Sequence, residues 1–379
     1  MRIGLNLLYL IPGHVGGTET YARALIDALA GLDRDNEYLL YLNRACRTLP
    51  WPDSPTVRVI PTPVPPRCRS LRYAWEQLIL PLQATGHRLD VLHSLGYVGP
   101  LRAPCPTVVT VHDMNYFTLG DMIGFPRRQM LQFFGLRSMR RAACVTTISH
   151  FAQEEILRHA GLAEEKVRVI HLGRGQMEGG DRTDRAGGGG TEAEGAPWLI
   201  AFAGGAHKNI DRLLRVFDRL RDRVPHRLLL IGSLPAEVRA AAGESLAALT
   251  AAGRLTELGF VEGDRLRTLL AGADLMVFPS LYEGFGLPVL EAQELGTAVA
   301  CSTAASLPEV AGEGAAFFDP ESEEEMEDVI GQCLLRPEHR QRLVELGRIN
   351  LERFSWRQAA GEMLEVYREV AVSRSKRSR

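Results

Sequence analysis

Strand-like apolar runs and helix-like segments alternate along this chain in two series. The strand-like runs of the first series are residues 2–7, 38–42, 57–60, 91–93, 107–111, 145–148 and 167–170. Those of the second series are residues 198–203, 228–231, 255–260, 275–278, 298–301 and 316–318. Helical patterns occupy the segments between them, such as residues 19–30, 71–84 and 129–141. This alternation predicts parallel sheets with helices on both faces, so the expected fold class is α/β with two doubly wound domains.

Residues 173–197 separate the two series. This stretch contains Gly-Gly pairs, a run of glycines from Gly187 to Gly190 and mixed charges, with almost nothing apolar to bury. Such a composition predicts a linker with a flexible insertion. The predicted division is therefore a first domain at 1–173, a linker at 174–196, a second domain at 197–355 and a C-terminal segment at 356–379. Two parallel sheets side by side predict a central cleft at the carboxyl ends of their strands.

Composition argues against several classes of protein. The formal net charge is -2, so no overall positive field indicates a nucleic-acid partner. The six cysteines have neither paired nor metal-ligand spacing, which predicts buried, reduced thiols in a cytoplasmic protein. The first residues have the pattern of a strand rather than a signal peptide, and no apolar run approaches the ~18 residues of a membrane span. We therefore expect a cytoplasmic protein that is soluble or peripheral.

The most informative local pattern is residues 279–292, where Glu283 and Glu291 lie eight positions apart around a glycine-rich turn. Pro288 suits the first position of a helix, which would place Glu291 on the first helical turn. A carboxylate does not favour a bound phosphate, so both glutamates are expected to accept hydrogen bonds from neutral hydroxyls of a ligand. Taken singly, each could instead be an ordinary solvated or dipole-complementing residue.

The turn itself is suited to binding a phosphate. Gly284 and Gly286 would let the backbone approach a ligand closely. The free N–H groups of Gly286 and Leu287 lie at the predicted helix start, where the dipole is positive and favours an anion. With Phe285 between them, these residues form the predicted phosphate-binding turn.

The string from Glu283 to Ala292, Glu-Gly-Phe-Gly-Leu-Pro-Val-Leu-Glu-Ala, resembles the Glu-x7-Glu signature of the retaining glycosyltransferases of family four. The resemblance extends over nearly the whole chain. It implies a GT-B fold with two Rossmann-like domains, the first on the acceptor side and the second holding the nucleotide sugar. It also implies that Glu283 contacts the transferred hexose, that Glu291 holds the ribose, and that the last helix, at 356–372, crosses back to the first domain.

Lysine usage indicates a second part of the site. Only three of the 44 basic residues are lysines, and Lys208 follows the first strand of the second domain. Its compact ammonium group could neutralise a diphosphate, and a Lys-Asn pair at this position commonly binds the donor diphosphate in the resembling family. The predicted donor-binding residues of this loop are Gly204, Gly205, His207, Lys208 and Asn209. Many family members have an arginine upstream of the lysine, so either His207 or another residue such as Arg174 could supply a second positive charge.

A third glycine-rich turn follows the first strand of the first domain. Residues 13–21 resemble the Gly-Gly-x-Glu loop of the same family. The amides of Gly16 and Gly17 could approach the donor phosphate or the acceptor. Glu19 could bind the acceptor or only stabilise the helix start. The glycine spacing is not that of a dinucleotide fingerprint, which argues against hydride transfer.

His112 and Asp113 follow a strand at the expected cleft edge and resemble a family His-Asp pair that lies beside the donor hexose. His112 could donate to a sugar hydroxyl and stabilise developing charge, with Asp113 orienting the loop. The alternative is a buried histidine satisfied by the backbone. Together with Lys208 and Glu283, these two residues form the predicted catalytic set.

The resemblance implies a front-face, retaining transfer in which the leaving phosphate helps to deprotonate the acceptor. No aspartate pair resembles a metal clamp, so we expect no metal ion and no cofactor. GDP-mannose is the first choice of donor and a UDP-hexose the second, with a carbohydrate or lipid-linked acceptor. A sugar-nucleotide epimerase and a non-catalytic nucleotide-sugar-binding relative remain the alternatives.

Two segments allow contact with the inner face of the cell membrane. Residues 114–135 combine aromatic and apolar residues with Arg127 and Arg128, and Arg67, Arg69 and Arg72 lie near Trp75. Both segments could touch a membrane that carries a lipid-linked acceptor, or they could be ordinary acceptor-side loops and amphipathic helices.

Overall fold

The computed structural model describes residues 1–13, 16–118, 124–175, 196–261 and 263–377. The chain divides into two compact units. Unit 1 is Met1–Gly173 with Phe354–Arg379, and unit 2 is Arg174–Arg353. Most of the predicted linker, residues 176–195, lies outside the described residues. His14 and Val15, in the glycine-rich stretch at residues 13–21, also lie outside them.

Within its described residues, unit 1 contains a parallel sheet of seven strands, in the order β3-β2-β1-β4-β5-β6-β7. The strands are β1 (Arg2–Asn6), β2 (Glu37–Leu42), β3 (Val57–Pro61), β4 (Val91–Ser94), β5 (Thr107–Thr110), β6 (Cys144–Thr147) and β7 (Val167–Val169). Every residue of β4, β5 and β6 is buried, as expected for parallel strands that helices cover on both faces. The strand order reverses between β1 and β4, which makes this pair the topological switch point of unit 1.

Helices connect these strands. They are α1 (Gly17–Leu32), α2 (Arg69–Ala74), α3 (Leu80–Gly86), α4 (Asn115–Thr118), α5 (Phe125–Arg141) and α6 (His150–Ala160). The helix predicted at 71–84 is interrupted by a π-helical turn at Trp75–Ile79, which joins α2 to α3. The periodicity of the sequence gave no sign of this turn, because a π-helical turn leaves the apolar pattern nearly unchanged.

Unit 2 contains a parallel sheet of six strands among the residues described, in the order β10-β9-β8-β11-β12-β13. They are β8 (Trp198–Phe202), β9 (Arg227–Ile231), β10 (Leu255–Gly259), β11 (Leu275–Phe278), β12 (Ala298–Ser302) and β13 (Ala316–Phe318). The switch point of this sheet lies between β8 and β11. In both units, each predicted strand forms and ends within one residue of its predicted bounds.

The helices of unit 2 cover both faces of its sheet. They are α7 (Ile210–Leu220), α8 (Ala236–Ala251), α9 (Gly263–Gly272), α10 (Leu287–Leu295), α11 (Leu307–Ala311), α12 (Glu323–Leu335) and α13 (Pro337–Asn350). Neighbouring side chains of β8 enter opposite cores: Leu199 packs in one apolar cluster and Ile200 in the other. This alternation is the period-2 geometry of a strand buried on both faces.

The last helix, α14 (Trp356–Arg377), belongs to unit 1 rather than to unit 2. The Tyr367 hydroxyl lies 2.7 Å from Nδ1 of the buried His93 on β4. Ser355 caps the helix start, since its Oγ accepts the N–H of Gln358 at 3.4 Å. A side chain at position 173 would collide with the backbone of Trp356. Gly173 therefore lets the start of this helix approach the chain closely.

Five of the six cysteines are buried and all six are unpaired thiols, but Cys68 is exposed. The prediction that all six are buried is therefore wrong at this position. The exception has a local reason, because Cys68 immediately precedes α2 in an exposed stretch that runs from Arg67 to Leu71. No described helix has the length and apolar character needed to cross a bilayer.

Candidate functional site

The loops that follow β8 and β11 meet at the switch point of unit 2. These strands are neighbours in the sheet, and the Leu281 N–H donates to the His207 carbonyl oxygen at 2.8 Å. Open α/β sheets bind ligands at the carboxyl ends of such strand pairs. The topology thus brings together the two motifs that the sequence singled out separately.

Lys208 and Glu283 form a short polar contact between these loops. Lys208 Nζ donates to Glu283 Oε1 at 2.6 Å, and both side chains are largely buried. The ammonium group also lies 5.0 Å from the ring centroid of Phe278 at the end of β11. An ammonium group has three N–H donors, so Lys208 can hold Glu283 and still donate to an anion.

Asn209 has a structural task beside this pair. Its backbone is in the left-handed conformation, and its side-chain amide donates to the carbonyl oxygens of Pro279 at 3.1 Å and Pro320 at 2.8 Å. Both amide hydrogens are therefore used inside the protein. The side chain of Asn209 holds the Lys208 loop against the end of β11, and the predicted contact of Asn209 with the sugar donor stays a prediction.

The Ser306 side chain fixes the turn that contains Glu283. Ser306 Oγ lies within hydrogen-bonding distance of the carbonyl oxygens of Glu283 at 3.0 Å and Phe285 at 2.8 Å. The side chain of Phe285 is buried, so this residue can contact a donor only through its backbone. Gly286 has a φ of 106° and a Cβ there would lie 2.7 Å from Leu307 Cδ2, so the turn requires glycine.

The start of α10 differs from its predicted position by one residue. The left-handed Gly286 ends the turn and Leu287 is the first helical residue, so Pro288 occupies the second position. Glu291 is then the fifth residue and begins the second turn rather than lying in the first. Pro288 has no N–H and the Val289 N–H donates to the Gly286 carbonyl oxygen at 2.9 Å, so the predicted phosphate contact depends on the N–H groups of Gly286 and Leu287.

Glu291 is half-buried, and its carboxylate makes no hydrogen bond or ion pair with any residue that the structure describes. Burial, and secondarily the charge of Glu294, raise the pKa of this carboxyl group above its usual value. A desolvated, unpaired carboxylate costs stability and is typical of a binding position.

His207 is not a second cation at neutral pH. Burial first, and then the neighbouring Lys208 ammonium, lower the pKa of the imidazole below its ordinary value. The ring is therefore neutral near pH 7. Arg174, the other residue considered, is exposed at the start of unit 2.

In unit 1, Glu19 contacts the start of the glycine-rich stretch at residues 13–21. Its Oε2 accepts the N–H of Gly13 at 2.9 Å, and Oε1 lies 3.8 Å from Arg23. Gly16 precedes the helix with a φ of 51°, and Gly17 begins α1. The helix-start role of Glu19 thus has a direct structural basis, while an acceptor contact through its remaining lone pairs stays a prediction.

His112 is buried after β5 and is contacted edge-on by the rings of Tyr21 and Tyr97. Its Nε2 donates to the Leu95 carbonyl oxygen at 3.0 Å, and burial lowers the pKa of the ring to about 4. In this neutral tautomer Nδ1 can only accept a hydrogen bond. The expectation that His112 donates to a sugar hydroxyl is therefore corrected: it can accept from one. Asp113 orients the loop as expected, since its Oδ1 accepts the Asn115 N–H at 3.1 Å.

A polar cluster at the switch point of unit 1 was missed by the sequence analysis. At the end of β1, Asn6 Nδ2 donates to Glu76 Oε1 at 3.3 Å and to Ser94 Oγ at 3.2 Å. Glu76 is buried in the π-helical turn, where burial raises the pKa of its carboxyl group, and Arg72 Nε lies 3.8 Å away. Polar residues at the ends of two apolar strands were the available signal. Nothing in the pattern indicated that Glu76 points inward.

Two doubly wound parallel units, each with polar loops at its switch point, match the GT-B fold. Sucrose-phosphate synthase from Thermosynechococcus elongatus has this fold and matches the chain with a TM-score of 0.73 and 20% identity, covering 98% of this chain and 100% of that one. Residues 15–174 match the family model Glycosyltransferase Family 4, and residues 195–349 match Glycosyl transferases group 1. The chain belongs to these glycosyltransferases.

Two relatives are similar at the level of sequence. O-antigen chain mannosyltransferase B of Escherichia coli is 29% identical over 279 residues, which cover 69% of this chain and 70% of that protein. The MMP alpha-(1->4)-mannosyltransferase of Mycolicibacterium hassiacum is 27% identical over an alignment of 425 positions, which covers 99% of each chain.

Proposed function

We propose that this glycosyltransferase moves a hexose, with mannose as the first choice, from a nucleoside-diphosphate sugar to a carbohydrate or lipid-linked acceptor, with retention of configuration. GDP-mannose is the proposed donor and a UDP-hexose the second choice. The names of the two relatives support mannose. The observation that carries the proposal is the Lys208–Glu283 contact at the switch point of unit 2, beside the start of α10.

Each group of this site has a task in the proposed reaction. Lys208 and the amides of Gly286 and Leu287 hold the diphosphate, while Glu291 accepts hydrogen bonds from the ribose hydroxyls. Breaking the anomeric bond puts further negative charge on the diphosphate, so the ammonium group and the helix terminus bind the transition state more strongly than the ground state. These cationic and dipolar groups can take up that charge without a metal ion.

Glu283 serves the transferred sugar in this proposal. Its Oε1 is held by Lys208, which leaves the other lone pairs of the carboxylate to accept from hexose hydroxyls. His112 of unit 1 is proposed to accept a hydrogen bond from a sugar hydroxyl through Nδ1, and Asp113 holds its loop. The backbone amides of Gly16 and Gly17 are the proposed contacts for the acceptor or the donor phosphate.

Ligand-induced stabilisation tests the donor and the division of roles. GDP is expected to raise the melting temperature more than UDP, because a ligand that binds only the folded state stabilises it according to its affinity. Glu291→Ala should weaken nucleotide binding, whereas Glu283→Ala should reduce turnover and leave nucleotide affinity largely intact. Glu338→Ala, at an exposed position on α13, is the matched control. Equal losses of affinity in the Glu283 and Glu291 variants would contradict the assigned roles.

Incubation with the donor alone separates the transferase from the epimerase that shares this architecture. A transferase leaves the sugar configuration of the nucleotide sugar unchanged when no acceptor is present, and nuclear magnetic resonance reports that configuration directly. Conversion of the donor to its epimer without acceptor would overturn the proposal.

A further inference from the structure

The helical segment at residues 69–86 of unit 1 carries leucines on its solvent side. It consists of α2, the π-helical turn and α3, and Leu78 and Leu82 are 67% and 68% exposed. Leu71, earlier in the segment, is also exposed. The buried side of this segment holds Leu80 and Ala84 together with the Glu76 carboxylate. Several strongly exposed leucines on one short helical segment are unusual, so this exposed stripe requires an explanation.

A second exposed apolar element adjoins the first. The ring of Tyr73 on α2 stacks on Phe134 of α5 with centroids 5.2 Å apart. On α5, Phe133 contacts Phe134 edge-on, and both Phe133 and Met130 are exposed. We call the exposed residues of the two elements the apolar helical surface; they are Leu71, Leu78, Leu82, Met130 and Phe133.

The chain around this surface is strongly basic, although the protein as a whole is slightly acidic. Residues 61–86 and 124–141 contain eight arginines and a single carboxylate, that of Glu76, whereas the formal net charge of the chain is -2. Glu76 is buried and faces Arg72, so it does not offset the others. The Arg137 guanidinium lies 3.6 Å from the ring centroid of Phe133, and Arg67 and Arg69 are exposed before Leu71.

Apolar side chains surrounded by arginines are suited to the boundary between lipid headgroups and acyl chains in an anionic bilayer. Leucines can enter the apolar layer there while the arginines remain at the level of the phosphates. A second copy of the chain fits less well, because a two-fold interface would set the arginines of one surface against those of the other. Single-stranded nucleic acid fits less well too, because bases stack on aromatic rings rather than on leucines.

We propose that the apolar helical surface docks unit 1 onto an anionic phospholipid membrane, so that the enzyme works beside acceptors anchored there. The choice of a lipid-linked acceptor rests on the proposed transferase function. Membrane docking itself needs neither donor nor turnover, so its failure can be distinguished from a failure of the transferase assignment.

Vesicle co-sedimentation of the full chain without donor tests the docking. The protein should pellet with vesicles of phosphatidylcholine and phosphatidylglycerol, less at high salt, and much less with phosphatidylcholine alone. The double variant Leu78→Glu, Leu82→Glu should bind the anionic vesicles at least about tenfold more weakly, since it removes two inserted apolar side chains and adds two negative charges. Arg67→Gln with Arg69→Gln should weaken binding and reduce its salt dependence.

The matched control is Leu335→Glu with Ile349→Glu, two leucine-sized side chains of unit 2 that are 53% and 63% exposed. This variant should bind vesicles as the wild type does. Far-ultraviolet circular dichroism and the melting temperature, measured on every variant, check that each variant is folded. The proposal would be overturned by a wild type that stays in the supernatant with anionic vesicles, or by an unchanged Leu78→Glu, Leu82→Glu variant. Light scattering that shows a dimer dissolved by that variant would identify the surface as a contact between copies instead.

Discussion

At the scale of single residues, the candidate site depends on groups that are far apart in the chain and close in space. Lys208 and Glu283 are separated by 75 positions, yet their side chains meet at 2.6 Å. Each was predicted from its own local pattern, one from a rare lysine after a strand and the other from a glycine-rich turn. Their contact was not predicted, because it depends on β8 and β11 being neighbours in the sheet.

Glu291 is expected to lower the stability of the folded protein while it contributes to nucleotide binding. Its pKa is raised in the folded protein, so its contribution favours folding below the unfolded pKa of about 4.3 and is lost as pH rises through the folded value. At neutral pH the ionised, desolvated carboxylate therefore costs stability. Glu291→Gln should raise the free energy of unfolding at pH 7 by on the order of 1 kcal/mol and lower nucleotide affinity at the same time.

Denaturant unfolding at pH 7 and pH 4 measures this effect. The gain from Glu291→Gln should be present at pH 7 and vanish near pH 4, where the wild-type carboxyl group is protonated. Glu365→Gln, at an exposed position on α14, is the control and should change little at either pH. A variant that is less stable than the wild type at pH 7 would show that Glu291 has a stabilising partner instead.

At the scale of elements, α14 contacts the sheet of unit 1 through a buried polar chain. His93 on β4 connects this helix to the neighbouring strand, because Nδ1 lies 2.7 Å from the Tyr367 hydroxyl and Nε2 lies 2.7 Å from Thr110 Oγ1. Thr110 continues to Thr146 on β6 at 2.8 Å. A buried polar chain of this kind is stabilising only while every member has its partner.

Tyr367→Phe should therefore destabilise unit 1 by about 1–3 kcal/mol, the cost of leaving a buried ring nitrogen without its hydrogen bond. Thermal unfolding followed by circular dichroism measures it. Tyr73→Phe is the matched control, since Tyr73 is buried in the same unit and its hydroxyl has no hydrogen-bond partner among the described residues. Equal effects of the two substitutions would mean that the bond to His93 contributes nothing specific.

The elements also show where sequence patterns suffice. Buried parallel strands are continuous apolar runs, so the strands of both sheets could be located from the sequence to within one residue. The residue-level details of the helix starts and turns could not. The left-handed backbone of Gly286 shifts the start of α10, and the π-helical turn before α3 turns Glu76 inward. Both depend on packing against neighbouring elements rather than on local periodicity.

At the scale of the whole molecule, the two units should respond differently to acid. In unit 1, burial lowers the pKa of His93 to about 3 and that of His112 to about 4, and it also lowers the pKa of His87. In unit 2, burial lowers the pKa of His207. A histidine kept neutral in the folded state binds more protons once unfolded, so its contribution to stability is lost as pH falls below about 6.5.

Unit 1 is therefore expected to open before unit 2 between pH 6.5 and pH 4.5. Each buried histidine that stays neutral lowers the free energy of unfolding by about 1.4 kcal/mol for every pH unit that the pH falls in this range. The raised pKa of Glu76 acts in the opposite direction. Pulse-labelling hydrogen exchange after incubation at each pH resolves the two units. His93→Gln should flatten the pH dependence of unit 1 even if it lowers stability at pH 7. Loss of protection in unit 2 first would contradict this account.

The amino-acid sequence by itself determined the two α/β units, the strand positions, the carboxylate pair at 283 and 291, the lysine at 208 and the family. Short-range patterns indicate these features, because strand burial, glycine turns and helix starts depend on neighbouring residues in the chain. Only the tertiary structure decided that Lys208 pairs with Glu283, that His112 is a neutral acceptor, that Asn209 is held by backbone carbonyls and that leucines face solvent on residues 69–86. Those properties depend on strand order and desolvation, which arise when segments distant in sequence pack against one another.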